Sequence, residues 1–306
     1  MSYLFGPVPS RRLGLSLGVD LIPMKTCTFD CLYCQVGKTT AKTIEPKAFV
    51  PIQEVIEALR MRLERERPDF ITFSGSGEPT LHSQIDRAIE FIKETTDIKT
   101  AVLTNGSLFW REDVIERVLH ADAIMPTLST VMEKSFRIIH RPHPDLHLPE
   151  ILGGLKRLRA RYHGQLWIEV VLLAGINDTE GEIQALRREI EQIGPDKIQL
   201  NTVVRPPSDS RALPLDRKRM EDIKNFFGPR AEIVADAAAL RQERAYDALS
   251  VSILEMARRR PVTARDIANA LNRSLQEVES LVKGLVIKGH LRHQEHLGET
   301  FYSNKG

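Results

Sequence analysis

The densest chemistry in this sequence is the run Cys27-Thr-Phe-Asp-Cys31-Leu-Tyr-Cys34, with spacing C-x3-C-x2-C; the chain has no other cysteine. Thiolates suit soft iron centres, and a loop lets three sulfurs converge on one cluster. A 4Fe–4S cubane has four irons, so three cysteines leave one iron without a protein ligand. Structural zinc is the alternative. It prefers a closed set of four ligands, and the fourth here would be a distant histidine such as His82. An odd count confined to one loop excludes a secreted disulfide framework.

Further polar residues stand where strands are expected to end. Asp69-Phe-Ile-Thr-Phe-Ser-Gly-Ser-Gly-Glu-Pro79 reads as a strand running into a glycine loop. Glycines let backbone approach a ligand closely and offer carbonyls to an ammonium group; an ordinary tight turn is the alternative. Thr104-Asn105-Gly106 ends the next strand and reads equally as a ligand-facing amide or a favoured turn pair. Ser129 closes the strand after that. Glu169 is a carboxylate in an apolar strand, costly to bury unless paired or facing a polar site. Asn201 and Arg205 follow from the sixth strand. Arg205 suits a carboxylate or phosphate group of a substrate, or else a surface ion pair.

The cysteine spacing, with aromatic Tyr33 directly before the last cysteine, resembles the radical S-adenosylmethionine (SAM) superfamily. The resemblance implies that the open iron chelates SAM through its amino and carboxylate groups. An electron from an external low-potential donor then cleaves SAM to methionine and a 5′-deoxyadenosyl radical, which abstracts hydrogen from a substrate. It implies that Cys27, Cys31 and Cys34 hold a single cluster and that Tyr33 borders adenine. Gly75, Ser76, Gly77 and Glu78 resemble the family's Gly-Gly-Glu-Pro element, which holds the methionine amino group, with Ser76 replacing a glycine. Residues 175–180, including Asn177, resemble a loop that packs beside adenine. Asn105, Ser129 and Glu169 complete the expected cofactor set, and Asn201 and Arg205 the expected substrate set. Gly6–Gly14 with Asp20–Cys27 is similar to a subgroup related to wyosine-type tRNA synthases and the molybdenum-cofactor cyclase. Lacking a fourth cysteine, the chain has no cysteine-bound auxiliary cluster, which argues against the cyclase reaction and against sulfur insertion.

Positioning these residues requires strands alternating with helices. Strands are expected near Leu15–Leu21, Phe70–Ser74, Thr100–Thr104, Ala123–Leu128, Leu166–Leu173, Lys197–Val203 and Glu232–Val234. A helix from about Ile52 to Glu66 carries Val55, Ile56, Leu59 and Leu63 at 3.6-residue spacing. Others are expected from Pro149 to about Tyr162 and around Ile183–Ile193. This order predicts an α/β fold with a mostly parallel sheet, and periodicity alone does not decide between an open sheet and a barrel. The resemblance implies a partial (β/α)6 barrel over about residues 10–235. The candidate residues then gather at the carboxyl ends of the strands, where parallel α/β folds place ligand sites.

Residues 1–240 are thus assigned to the barrel, and residues 247–306 read as a separate winged-helix-like module. The module's expected parts are a helix from Tyr246 to Arg260, helices capped by Thr263 and Ser274, and a hairpin over Leu291–Tyr302. It holds nine Lys or Arg against seven Asp or Glu. That weak basicity favours recruitment of a substrate protein or RNA over duplex DNA. The whole chain carries 43 basic and 41 acidic residues among 306, with 42% hydrophobic, which excludes a polybasic or disordered protein. No apolar run suits a signal peptide or a membrane span, so a cytoplasmic protein is expected. An RNA base or a protein is the expected substrate. The competing reading is an iron–sulfur-sensing regulator that binds DNA through its tail.

Overall fold

The computed structural model describes residues 3–10, 12–234, 249–250, 252–254, 256–257, 261–271, 273–287, 289–296 and 299–304. The chain divides into two compact units, Met1–Ala235 and Asp236–Gly306.

The first unit opens with the antiparallel pair β1 (Leu4–Ser10) and β2 (Gly14–Val19), then the two-residue strands β3 (Thr26–Cys27) and β4 (Ala41–Lys42). There follow α1 (Ile52–Leu63), β5 (Phe70–Phe73), α2 (Ile85–Thr95), β6 (Lys99–Thr104), α3 (Glu112–Glu116) and β7 (Ala123–Pro126). The unit continues with α4 (Glu133–His140), α5 (Leu148–Arg161), β8 (Gln165–Leu172), α6 (Glu180–Ile193), β9 (Lys197–Thr202), α7 (Arg217–Phe227) and β10 (Ala231–Ile233). Its main sheet has the order β1-β2-β5-β6-β7-β8-β9-β10, and every pair from β2 onward is parallel.

Alternation along the strands explains the layers. One face sends Leu17, Ile71, Val102, Ile124 and Ile168 into the main core against the helices. The opposite face sends Ala101, Ala123, Met125 and Trp167 into a smaller cluster with Leu13. A strand buried on both faces reads as a continuous apolar run, which is why the parallel strands are visible in the sequence. Strand β1 is not, because Pro7 and Pro9 interrupt it; proline is tolerated on such an edge. Phe5 and Val8 of β1 and Val234, just past β10, line one cavity. The sheet therefore curls until its two edges face a common space. This is an α/β fold with a mostly parallel sheet, consistent with a partial barrel.

The second unit contains β11 (Val262–Thr263), α8 (Ala264–Leu271), α9 (Leu275–Ile287), β12 (Leu291–His296) and β13 (Glu299–Asn304), with sheet order β11-β13-β12. Thr263 Oγ1 accepts from the Asp266 amide, and Ser274 Oγ from the Glu277 amide, the two caps expected. Ile253, Ile267, Val278, Val282 and Leu291 form a core of its own. Much of the helix expected over Tyr246–Arg260, and the hairpin turn at Leu297-Gly298, lie outside the described residues.

Candidate active site

Cys27 is the last residue of β3, and the loop after it is fastened at many points. The Asp30 amide donates to the His140 carbonyl (2.9 Å), the Leu32 amide to the Ile139 carbonyl (2.8 Å) and the Ser208 hydroxyl to the Cys31 carbonyl (2.8 Å). Asp30 in turn accepts from the Thr39 amide at 2.8 Å. Arg141, in the left-handed region at φ 42°, pairs with both Asp30 and Asp209. These pairs help hold a conformation that is uncommon for a side chain of this size.

His140, at the end of α4, is packed against the rings of Phe29, Tyr33 and Phe136. Its Nδ1 lies 3.3 Å from Cys31 Sγ. Burial holds the His140 pKa down to about 3, so the imidazole is neutral. Burial, and secondarily the Glu78 carboxylate, pushes the Cys27 thiol up to about 12. Cys31 and Tyr33 are also raised well above their ordinary values, chiefly by burial. Without a metal, then, Cys27 and Cys31 keep their protons, and a bound metal must displace them.

The glycine loop rests on this cysteine loop. A Cβ on Gly77 would lie 1.9 Å from the Thr26 carbonyl oxygen, and one on Gly75 (φ +138°) 2.5 Å from the Asp20 carboxyl carbon. The Glu78 amide donates to the same Thr26 carbonyl at 3.2 Å. The Glu78 side chain is buried. Its Oε1 accepts from the Thr80 amide (3.0 Å) and from the Thr80 and Thr104 hydroxyls (both 2.6 Å); its Oε2 accepts from the Asn105 amide (2.7 Å). Burial raises its pKa, and these bonds pull it back in part. The ends of β5 and β6 are thus joined through one carboxylate. Asn105 then turns its amide nitrogen to Thr28 Oγ1 (2.7 Å) and Cys27 Sγ (3.5 Å).

A cavity of about 330 Å³ opens at the carboxyl ends of the strands. Of the residues singled out from the sequence, Cys27, Cys31, Tyr33, Cys34, Gly75, Gly77, Glu78, Asn105, Glu169, Asn201 and Arg205 line it. Three others do not. Ser76 turns away, its amide and hydroxyl both donating to Asp20. Ser129 and Asn177 are buried: Ser129 Oγ accepts from the Val171 amide, and Asn177 bonds the Leu173 amide and the Ser129 and Val171 carbonyls. They brace the end of β8.

Glu169 accepts from Thr127 (3.1 Å) and Asn201 (3.1 Å) and pairs with Arg12 at 3.0 Å. Its placement in an apolar strand is therefore compensated. Arg12, Gln35 and His140 escaped sequence reasoning. Arg12 precedes β2 and meets Glu169 only through the curl of the sheet, while His140 comes from a helix more than a hundred residues after the cysteines. An internal histidine closing an amphipathic helix was the one local signal.

Residues 21–187 match the Radical SAM superfamily profile, more than half of the chain. The protein is a radical SAM superfamily member. A protein of Brachyspira hyodysenteriae described as GTPase Obg is 34% identical over 295 residues, covering 95% of this chain and 43% of that one. This chain thus spans less than half the length of that relative. A UPF0026 protein of Methanocaldococcus jannaschii is 42% identical over 217 residues (70% and 67% of the two chains), and one of Helicobacter pylori 30% over 293 (93% and 94%). Among solved structures, TYW1 with a lysine-pyruvate adduct bound superposes with TM-score 0.53 at 21% identity, covering 69% of this chain and 72% of that one. SuiB of Streptococcus suis, bound to S-adenosylmethionine, gives 0.51 at 18%, covering 71% and 46%.

As a radical SAM enzyme the chain uses a 4Fe–4S cluster and SAM, and the cavity's donors fit them. Three soft thiols share one wall with a close-packed glycine loop. The three are near enough that Cys27 and Cys34 both act electrostatically on Cys31. The zinc alternative also loses its fourth ligand. His82 is buried, its Nε2 at 3.0 Å from the Val50 carbonyl and its Nδ1 accepting from the Gln84 amide. Among the described residues no helix is long and apolar enough to cross a membrane.

Proposed function

We propose that Cys27, Cys31 and Cys34 are the three protein ligands of the cluster, and that the 330 Å³ cavity is where SAM and substrate meet. When bound, cluster and cofactor supply reductive cleavage of SAM to methionine and a 5′-deoxyadenosyl radical that takes hydrogen from the substrate. The chain's part is to position and to exclude water. Gly75 and Gly77 bring backbone to the cavity wall, Asn105 holds Cys27, and Tyr33 offers an aromatic face. Arg205 and Asn201 face the substrate. An external low-potential donor supplies the electron. The C-terminal unit, read as winged-helix-like, recruits a macromolecular substrate, RNA or protein. One observation carries this reading: the thiols, the glycine loop and Asn105 border the same cavity.

Anaerobically reconstituted protein with dithionite and SAM should release 5′-deoxyadenosine, and Cys27→Ala, Cys31→Ala or Cys34→Ala should abolish both cluster binding and release. No release from a preparation with a full cluster complement would refute the proposal. No observation favours the DNA-binding regulator.

A further inference from the structure

A second cavity, of about 210 Å³, adjoins the first. The two share Arg12, Gln35, Ser74, Leu103, Asn201 and Arg205 as a common neck. The inner chamber lies where the two edges of the curled sheet face each other. Phe5, Val8, Leu13 and Val234 line it beside the polar Ser10, Ser16 and Thr72.

The charge balance of this chamber is one-sided. Arg12 and Arg205 line it, and none of its described lining residues is Asp, Glu or His. Both guanidinium groups keep donors in reserve. The contacts of Arg12 with Glu169 (3.0 Å) and Gln199 (3.4 Å) both run through Nη1. Arg205 uses only Nη1, toward the neutral Gln35 amide at 3.2 Å, and has no carboxylate partner among the described residues. A guanidinium has five N–H donors in a rigid fork, so Nη2 and Nε of each remain for a ligand. Two such forks among neutral polar side chains, with the charge of Arg205 unmatched by any carboxylate among the described residues, attract an oxyanion.

We infer that the inner chamber is the anchoring site for an oxyanion of the substrate, a carboxylate or a phosphate held between Arg12 and Arg205. The rest of the substrate passes through the neck, so its reacting carbon lies in the cavity bordered by the cysteines. This assignment rests on the proposed function for the placement of that carbon. The anion site itself stands on the two arginines.

The test uses cluster-loaded protein saturated with SAM, so that the cofactor's own carboxylate is bound before the titration begins. Pyrophosphate in one arm and malonate in the other are titrated by calorimetry. At least one should bind, and Arg205→Gln should weaken it by about tenfold or more, the scale of a charge-assisted hydrogen bond. Arg205→Lys, which keeps charge but loses the fork, should fall between. Arg12→Gln should weaken the same anion. Binding of pyrophosphate alone supports a phosphate-bearing substrate, binding of malonate alone a carboxylate, and binding of both a general oxyanion site. Binding of neither, or equal affinity in wild type, Arg205→Gln and Arg12→Gln, overturns the inference. Release of 5′-deoxyadenosine is measured on the same wild-type samples. Its absence counts against the proposed function, whereas failure of wild type to bind either anion with release intact counts only against the chamber.

Discussion

Replacing Glu78 by glutamine isolates the carboxylate that joins the glycine loop to β6. The change keeps size and shape but turns one acceptor oxygen into a donor. Every partner of Glu78 presents an N–H or O–H to it: Thr80 twice, Thr104 and Asn105. Wherever the new NH2 sits, it faces a donor. With oxygen kept at Oε1, where three bonds converge, the Asn105 amide is stranded. A hydrogen bond to a charged group contributes about 1.5–3 kcal/mol, and a stranded buried donor costs about 1–3. One of each predicts a destabilisation of roughly 3–5 kcal/mol, a large share of the ~5–15 kcal/mol typical of a domain. Both tryptophans, Trp110 and Trp167, lie in the first unit, so their fluorescence reports that unit's unfolding. In urea the midpoint of the metal-free variant should fall by about 1–2.5 M, taking a slope of about 2–3 kcal/mol/M. The Asn105 amide should also lose its protection from hydrogen exchange. An unchanged midpoint with an equally protected Asn105 amide would refute the assignment of Glu78 as the tie between the two strand ends.

Other substitutions probe the neighbouring contacts. Gly77→Ala places a methyl 1.9 Å from the Thr26 carbonyl oxygen, which only backbone movement relieves. It should cost about 1–3 kcal/mol and weaken SAM binding, measured by urea unfolding and by calorimetry. His140→Phe keeps the aromatic packing and removes the nitrogen 3.3 Å from Cys31 Sγ. With its proton on Nδ1, His140 donates to a cluster-bound thiolate; if the bond favours the reduced cluster by about 1 kcal/mol, its loss should lower the midpoint potential by about 40 mV for one electron, read by redox titration followed by EPR.

Asp122 makes a pH test. Its burial alone would raise the carboxyl, but bonds from Lys93 and Thr100 outweigh that and hold its pKa below the ordinary value. A carboxylate depressed on folding stabilises above its unfolded pKa, and that contribution is lost as pH falls through the folded value. Asp122→Asn should therefore be less stable than wild type near pH 6, by roughly 1 kcal/mol after allowing for partial exposure. The gap should close on acidification below about pH 4, as measured by thermal unfolding across that range.

Most parallel strands lay open in the sequence within a residue or two, since burial on both faces makes β5, β7 and most of β8 largely apolar runs. Thus Phe70–Ser74 was expected and Phe70–Phe73 is found. The cysteines and glycine loop were equally legible, because local spacing carries their chemistry. Other features depend on folding distant segments together. Glu169 was recognisable as a carboxylate out of place, but its partner Arg12 belongs to a turn 157 positions earlier. Glu78, expected as a cofactor contact, borders the cavity and is also engaged by four donors of the scaffold. Ser129 and Asn177 sat at promising strand ends, yet their side chains satisfy backbone groups of β8 and its loop. The position of a polar residue at a strand end is visible in one dimension; the direction of its side chain is not.

The many fastenings of the cysteine loop bear on how metal enters this protein. The loop draws its hydrogen bonds from α4, from residues near Ser208 and from Thr39. Fixing a residue's backbone costs about 1–2 kcal/mol in entropy, and these bonds let the scaffold meet part of that cost. In small zinc modules the ion itself supplies the folding free energy, and removing it unfolds the chain. A loop tied this widely to its surroundings divides that load between the protein and whatever its thiols hold.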